Sequence, residues 1–228
     1  MRTAGLLGAG AVGYVLGGFP SADLATRAAK REGATDLRSA GSGNPGAVNA
    51  MDVLGKGWGW AILLADIAKG ALACFVGQGL GGANGAYLGG TAAVVGHCFP
   101  AANGFKGGKG VAASAGQCLA TFPAYFPLDL MVALAAAKPR WRRRAFTGTA
   151  ISSMIWVASG TVWWRRGWPN LWGPKPGPGL PISSAATSAV IWYRFWAARR
   201  TTPGDAWRRD QAGGGQAGGG QAGGGRGR

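Results

Sequence analysis

The chain has 228 residues, of which 47% are apolar, and a formal net charge of +16 although only 14% of its residues are charged. Basic proteins often bind nucleic acid, but here the charges fall between long apolar segments and in a C-terminal tail. That distribution is typical of a multi-span membrane protein and disfavours a soluble domain. We therefore predict an all-α, polytopic integral membrane protein and expect no nucleic-acid partner.

The apolar segments predict the membrane passages, since a helix needs roughly 17–25 residues to cross a bilayer. Prolines at 123 and 127 interrupt the apolar run 111–137, and proline disrupts a continuous helix. Division of this run into two short passages also places the basic cluster Lys138–Arg144 on the same side as the other basic loops. We predict seven passages, some short or re-entrant, with the N-terminus outside and the C-terminus cytoplasmic: 4–20, 57–80, 86–100, 111–122, 125–137, 146–164 and 181–198.

The chain divides into a membrane domain, residues 1–205, and a tail, residues 206–228. The tail repeats Gln-Ala-Gly-Gly-Gly three times from Gln211 to Gly225, a composition typical of flexible, low-complexity sequence. The three cysteines are odd in number and fit no zinc spacing, so we predict buried, inert thiols.

The stretch from Gly96 to Gly110 holds the single histidine of the chain, His97, and two lysines among glycines, Lys106 and Lys109. Glycines allow backbone N–H groups to converge on an anion, and lysines add positive charge. An anion-binding loop, for phosphate, is one interpretation. A flexible basic loop at a lipid surface is the other, because glycine–lysine clusters are weak motifs.

Asp66 and Lys69 lie inside a predicted membrane passage, three residues apart, and so share one helix face. A charged side chain at membrane depth costs roughly 2.5–3.5 kcal/mol on insertion scales and usually marks a functional site or an internal pair. A binding site and a purely structural ion pair both fit this pattern.

Two stretches together resemble the bacterial membrane acyl-phosphate:glycerol-3-phosphate acyltransferases. The first is Asp36-Leu37-Arg38 followed by the run Gly41–Asn49, with Asp66 and Lys69-Gly70 downstream. The second is the run Gly96–Pro100 followed by Phe105–Ala112. Both occur in the family's order and spacing, and the resemblance extends over about residues 5–200.

The resemblance implies transfer of an acyl group from acyl phosphate to the 1-hydroxyl of glycerol 3-phosphate, which gives lysophosphatidic acid for phospholipid synthesis. It implies no cofactor and no metal, and a monomer among membrane lipids in the bacterial inner membrane, with its motif loops facing the cytoplasm. The residues carried over as catalytic are Ser42, His97 and Lys109. Those carried over as substrate-binding are Arg38, Gly43, Asn44, Asn49, Asp66, Lys69, Lys106, Gly107, Gly108 and Arg194.

The role of His97 stays open between a general base, since histidine titrates near neutrality, and a residue that orients the loop or contacts substrate. An acyl phosphate is already activated, so the chemistry requires no covalent enzyme nucleophile. Orientation of the substrates and preorganised donors supply most of the expected gain in rate.

The sequence departs from the family pattern at several positions. Asp52 stands where the family usually has arginine, and Gly18 stands where it has serine. In the third motif, Tyr193 and Trp196 replace a histidine and an asparagine. Only Arg194 and Arg199 persist there, with Asp205 a candidate replacement for the glutamate.

These departures support a second hypothesis, a catalytically weakened or inactive paralogue that binds lipid phosphates. A small transporter is a third, suggested by the charges inside a passage. Transporters with broken helices usually have repeated halves, and this chain repeats itself only in its tail.

Overall fold

A computed structural model describes residues 2–30, 36–137 and 145–201, and these residues form helices without any β-strand. The all-α prediction is therefore confirmed for this part of the chain. The predicted tail and the Lys138–Arg144 cluster lie outside the described residues. The helices are α1 Arg2–Gly17, α2 Ser21–Lys30, α3 Ala47–Val53, α4 Lys56–Cys98, α5 Val111–Thr121, α6 Phe126–Ala137, α7 Ala145–Arg166 and α8 Gly179–Thr201, with a short 3₁₀ turn at Ala101–Asn103.

The long helix α4 is a hairpin of two arms. Its backbone leaves helical geometry at Gly81 and Gly82, and Gly82 has φ +63° and ψ −150°, a conformation that glycine adopts without steric cost. The arms then pack back to back at Gly77 and Gly85, where an added Cβ on either residue would overlap the carbonyl of the other. The break lies in the gap between the predicted passages 57–80 and 86–100, and it separates two helical arms.

Helix α1 packs against the end of the first arm of α4 and then along the second arm, through a stripe of small residues spaced by four: Gly5, Ala9, Gly13 and Gly17. Added Cβ atoms at the first, third and fourth of these would overlap the carbonyls of Leu80, Gly89 and Ala93 in turn. Small residues let helix backbones approach closely in membranes, where van der Waals packing drives association. Because the contacts advance in the same order on both elements, α1 and this arm run parallel and end at the same face.

The apolar run 111–137 breaks into two helices, as predicted. Phe122, the residue after α5, has φ −142° and ψ 59°. Tyr125 then joins a core cluster that contains Trp156, and Ser152 donates a hydrogen bond to Asp129 at 2.8 Å. The contacts of α6 thus move toward the start of α7, so α6 runs antiparallel to α7. The predicted number of membrane crossings stays a prediction.

Segment 167–178, which joins α7 to α8, covers the end of α5. Asn170 Nδ2 donates to the carbonyls of Thr121 and Pro174, at 2.9 Å each, and Trp172 Nε1 donates to Leu119 O at 3.0 Å. The last carbonyls of a helix lack partners within it, and unsatisfied carbonyls are costly at membrane depth. This segment therefore supplies the donors that a short, internal helix end needs.

Within the part of the chain that the structure describes, two elements, Thr3–Ala29 and Lys56–Asn103, are long and apolar enough to cross a membrane by length and composition. Leu7, Leu64 and Ile182 are each more than 60% exposed, so α1, α4 and α8 present large apolar side chains outward. The cysteines are free and buried, as predicted.

We predict that Gly13→Ala destabilises the protein, because its Cβ would overlap the backbone of Gly89 and overpacking typically costs about 1–3 kcal/mol. Gly8→Ala is the matched control, since its Cβ would meet only the Leu80 side chain at 3.7 Å. Thermal unfolding in detergent should give a lower midpoint for Gly13→Ala than for Gly8→Ala. Equal midpoints would contradict the backbone contact.

Candidate functional site

A pocket opens at the face where α1 and the second arm of α4 end. The turn after α1, the start of α2, and the loops 36–46 and 99–110 surround it. Five of the predicted site residues are among those that line it: Arg38, Lys69, His97, Gly107 and Gly108.

Asp66 lies beneath this pocket at the centre of a cluster of polar side chains. It is 1% exposed, and its Oδ1 accepts a hydrogen bond from Ser21 Oγ at 2.6 Å and pairs with Lys69 Nζ at 2.9 Å. Lys69 Nζ also donates to the carbonyl of Phe19 at 3.3 Å. The Asp66–Lys69 pair is thus an internal ion pair whose lysine also lines the pocket, so the two interpretations of this pair are compatible.

His97 is fixed on both sides of its ring. Its Nδ1 lies 3.7 Å from Asp66 Oδ1, and its Nε2 edge faces Gly108 so closely that a Cβ on that glycine would overlap the ring. A general base needs a nitrogen within hydrogen-bond reach of the proton it takes. This arrangement favours the orienting role over the general-base role.

The loop 99–110 turns back on the end of α4. Gly107 N donates to Cys98 O and Gly108 N donates to His97 O, at 3.2 Å each. We expected these two amides to converge on an anion, but both already donate to protein carbonyls. The glycines are needed instead for close approach: a Cβ at position 107 would overlap the His97 carbonyl.

Arg194 braces this loop from α8. Its Nε donates to Gly108 O at 3.1 Å and its Nη2 donates to Gly107 O at 2.6 Å, while its guanidinium lies 5.2 Å from the centre of the Phe99 ring. The arginine that persists from the third motif therefore contacts the Gly107–Gly108 turn through backbone carbonyls. It is not among the residues that line the pocket.

The two loop lysines lie outside the pocket lining. Lys106 is exposed, whereas Lys109 is half-buried with its Nζ 4.8 Å from the centre of the Phe195 ring. Burial and the nearby charge of Arg194 lower the pKa of Lys109 below that of an ordinary lysine.

Asn49 shapes the other loop. Its Oδ1 accepts a hydrogen bond from Ser42 N at 2.8 Å, and its Nδ2 donates to Leu37 O at 3.0 Å and Ala40 O at 3.2 Å. Its amide thus closes the turn that contains Gly41 and leads to the exposed Ser42. Contact of Asn49 with substrate stays a prediction.

Ser42, Gly43 and Asn44 lie on the loop that borders the pocket through Pro45, but they do not line it themselves. Positive φ angles of 59° at Gly41 and 67° at Gly43 allow the tight course of this loop. These residues and the His97 loop thus border one opening, as the sequence interpretation requires.

Of the departures from the family pattern, Gly18 lines the pocket, whereas Asp52, Tyr193 and Trp196 lie around it. Asp52 is exposed on α3. The rings of Tyr193 and Trp196, each about half exposed, pack 5.7 Å apart, and Tyr193 also packs 6.0 Å from Phe99. Asp205 and the side chain of Arg199 lie outside what the structure describes.

Sequence reasoning missed three polar residues that line the pocket: Ser21, Asp23 and Asn103. Asn103 lies within the Gly96–Gly110 stretch, so its position was the available signal. Ser21 and Asp23 directly follow Pro20 at the end of the first apolar segment, and only the fold brings them to the two loops.

Comparisons with known proteins point to one family. The family model for glycerol-3-phosphate acyltransferase matches residues 7–201. A glycerol-3-phosphate acyltransferase of Rhodopseudomonas palustris is 37% identical over 157 residues, which cover 67% of this chain and 74% of that protein. One of Pseudomonas paraeruginosa is 35% identical over 181 residues, 78% of this chain and 86% of that protein. Several other relatives of the same name align over about half of their own length, for example 51% of the Jannaschia protein.

Among solved structures, an integral membrane glycerol 3-phosphate acyltransferase in its glycerol 3-phosphate form superposes with a TM-score of 0.66. It is 27% identical, and the match covers 86% of this chain and 90% of that one. The lysophosphatidic acid form of such an enzyme has the same fold, with a TM-score of 0.63 at 23% identity. This protein is therefore an integral membrane protein, as its composition predicted, and it belongs to the glycerol-3-phosphate acyltransferase family.

Proposed function

We propose that this protein transfers an acyl group from an acyl phosphate to the 1-hydroxyl of glycerol 3-phosphate and so forms lysophosphatidic acid. The observation that carries the proposal is the pocket in which Arg38, Lys69 and His97 meet the Gly107–Gly108 turn. The pocket places cationic side chains next to a hydrogen-bonded backbone turn, and the protein belongs to this family. Both proposed substrates carry phosphate, which such cations recognise.

In the reaction the glycerol hydroxyl oxygen attacks the acyl carbonyl carbon, and a new ester C–O bond forms. The bond between that carbon and the phosphate oxygen breaks, and the electron pair leaves with phosphate. The hydroxyl proton passes to an oxygen of the departing phosphate. No side chain has to become covalently bonded, so the protein contributes by orientation and charge neutralisation.

The proposed roles follow from position. Arg38 and Lys69 bind substrate phosphate at the pocket wall, and His97, fixed between Asp66 and Gly108, holds the loop in place. Ser42, Gly43 and Asn44 contact glycerol 3-phosphate at the rim, and Lys106 and Lys109 attract the phosphate of the acyl donor. We place this face in the cytoplasm, at the bacterial inner membrane, and propose that the protein acts as a monomer among membrane lipids.

Binding of lipid phosphates without turnover is the second candidate function. The observation that favours it is the packing of Tyr193 against Trp196. At these two positions the family's third motif has a histidine and an asparagine, so two polar groups of that motif are replaced by aromatic rings. If the Asp52→Arg variant gained a measurable rate of acyl transfer, the protein would be an enzyme that has lost activity.

We expect purified protein in detergent to form lysophosphatidic acid from palmitoyl phosphate and glycerol 3-phosphate. Lys109→Ala should reduce the rate, because it removes a positive charge beside the pocket. Product should be measured by mass spectrometry. A wild-type rate no greater than that of Lys109→Ala would reject the proposed enzyme in favour of binding without turnover.

Arg194→Lys should lower kcat/KM by roughly ten- to hundredfold, since the loss of one hydrogen bond from a charged donor typically costs about 1.5–3 kcal/mol. A lysine keeps the charge but not the paired donation to Gly107 and Gly108. Arg166→Lys, at the far end of α7, is the matched control and should leave the kinetics unchanged. If both variants behave alike, Arg194 does not brace the loop.

The rate should also fall at alkaline pH in a way that depends on Lys109. Its lowered pKa means that it is charged at low pH and loses its proton, and its attraction for phosphate, at a lower pH than an ordinary lysine. Because kcat/KM reports groups of the free enzyme, its alkaline decline should begin below the usual lysine range. Lys109→Arg, which does not titrate there, should remove that decline, and persistence of the decline would exclude Lys109 as its source.

A further inference from the structure

Asp23, in the first turn of α2, joins the two loops that border the pocket. Its carboxylate pairs with both terminal nitrogens of Arg38: Nη1 contacts Oδ1, and Nη2 donates to Oδ2 at 3.3 Å. Asn103 Nδ2 donates to the same Oδ2 at 2.6 Å. All three residues line the pocket, although nothing in the family motifs of this sequence singled out Asp23 or Asn103.

Each loop is anchored separately at its own base. Asn49 closes the 36–46 loop through its own backbone contacts, and Arg194 braces the 99–110 loop from α8. Asp23 is the residue to which a side chain from each loop donates. Its position therefore sets how far apart the two loops stand across the pocket opening.

The pairing also fixes the direction of Arg38. Its side chain is 35% exposed, against 21% for Asp23, and a half-exposed arginine has much rotamer freedom to lose on binding. Two of its nitrogens contact the two carboxylate oxygens of Asp23, and its Nε donates to no acceptor within the described residues. A group held in advance in its binding orientation binds more tightly, because less ordering remains to be done.

We propose that Asp23 is a positioning residue, which holds the Arg38 guanidinium and the Asn103 amide at the pocket rim so that they meet a substrate phosphate in a ready-made geometry. The inference rests on the proposed function for its substrate, glycerol 3-phosphate. A carboxylate in this position also acts against binding, because it repels a phosphate and competes for the same arginine. The two effects move the affinity in opposite directions, so one variant separates them.

Asp23→Asn keeps the size of the side chain and removes its charge. In full-length protein we expect the KM for glycerol 3-phosphate to rise about tenfold, the equivalent of about 1.4 kcal/mol, with kcat changed less than about threefold because the acyl donor and the reacting atoms are untouched. Asp23→Glu, which retains the carboxylate, should recover part of the loss. An unchanged or lowered KM in Asp23→Asn would overturn the proposal.

The Arg38→Ala background tests whether Asp23 acts through Arg38. There Asp23→Asn should add less than about twofold to the KM, because coupled residues are non-additive in a double-mutant cycle. An equal, tenfold effect in both backgrounds would overturn the proposal and indicate a general effect on the fold. The thermal midpoint of each variant identifies any that unfold, and Asn103→Ala then provides the same comparison from the other loop.

Calorimetric binding of glycerol 3-phosphate separates this inference from the proposed function. It is measured for the wild type, Asp23→Asn, Arg38→Ala and the double variant. A wild type that binds but does not turn over would reject the enzyme, yet the binding cycle would still report coupling between Asp23 and Arg38. A wild type that turns over while the cycle is additive would keep the enzyme and reject the role of Asp23.

Discussion

The buried carboxylate of Asp66 is the constraint on which the site depends. A charged side chain that is taken out of water is costly unless it is paired and hydrogen-bonded, and Asp66 gathers its partners from separate places in the chain. Ser21 comes from the start of α2, Lys69 from the first arm of α4 and His97 from the end of the second arm. The need to pair the Asp66 carboxylate therefore fixes the position of both arms of α4 relative to α2. That position in turn places the Gly107–Gly108 turn against the His97 imidazole.

Much of the fold could be predicted because membrane helices are set by long apolar runs. The hairpin turn near residue 81, the division near Pro123 and the small-residue nature of α1 all follow from local composition. The site was predictable where local sequence carries the information, as for His97 and the adjacent glycines. It was not predictable for Ser21 and Asp23, because a polar residue after Pro20 gives no indication of which distant loops the fold will bring to it.

The roles of individual residues were harder to predict than their location. Glycines 107 and 108 suggested amides free to bind an anion, but a sequence does not state which carbonyls lie opposite those amides; here they belong to His97 and Cys98. Likewise Asn49 belongs to a motif associated with substrate, while its amide groups satisfy the backbone of its own loop. Arg194 keeps a structural role although its motif has lost other residues. Its acceptors are backbone carbonyls, which are present whatever the neighbouring side chains are.

The short helix α5 has a consequence for how its own end is protected. With a rise of about 1.5 Å per residue, the 11 residues of α5 extend only about 16 Å, roughly half of the hydrocarbon thickness of a bilayer. Its end lies inside the protein, where Thr121 and Phe122 are fully buried and the Trp172 indole donates to Leu119 O. A helix of this length reaches only part of the way across a membrane, so protein groups and not lipid headgroups must seal its polar terminus.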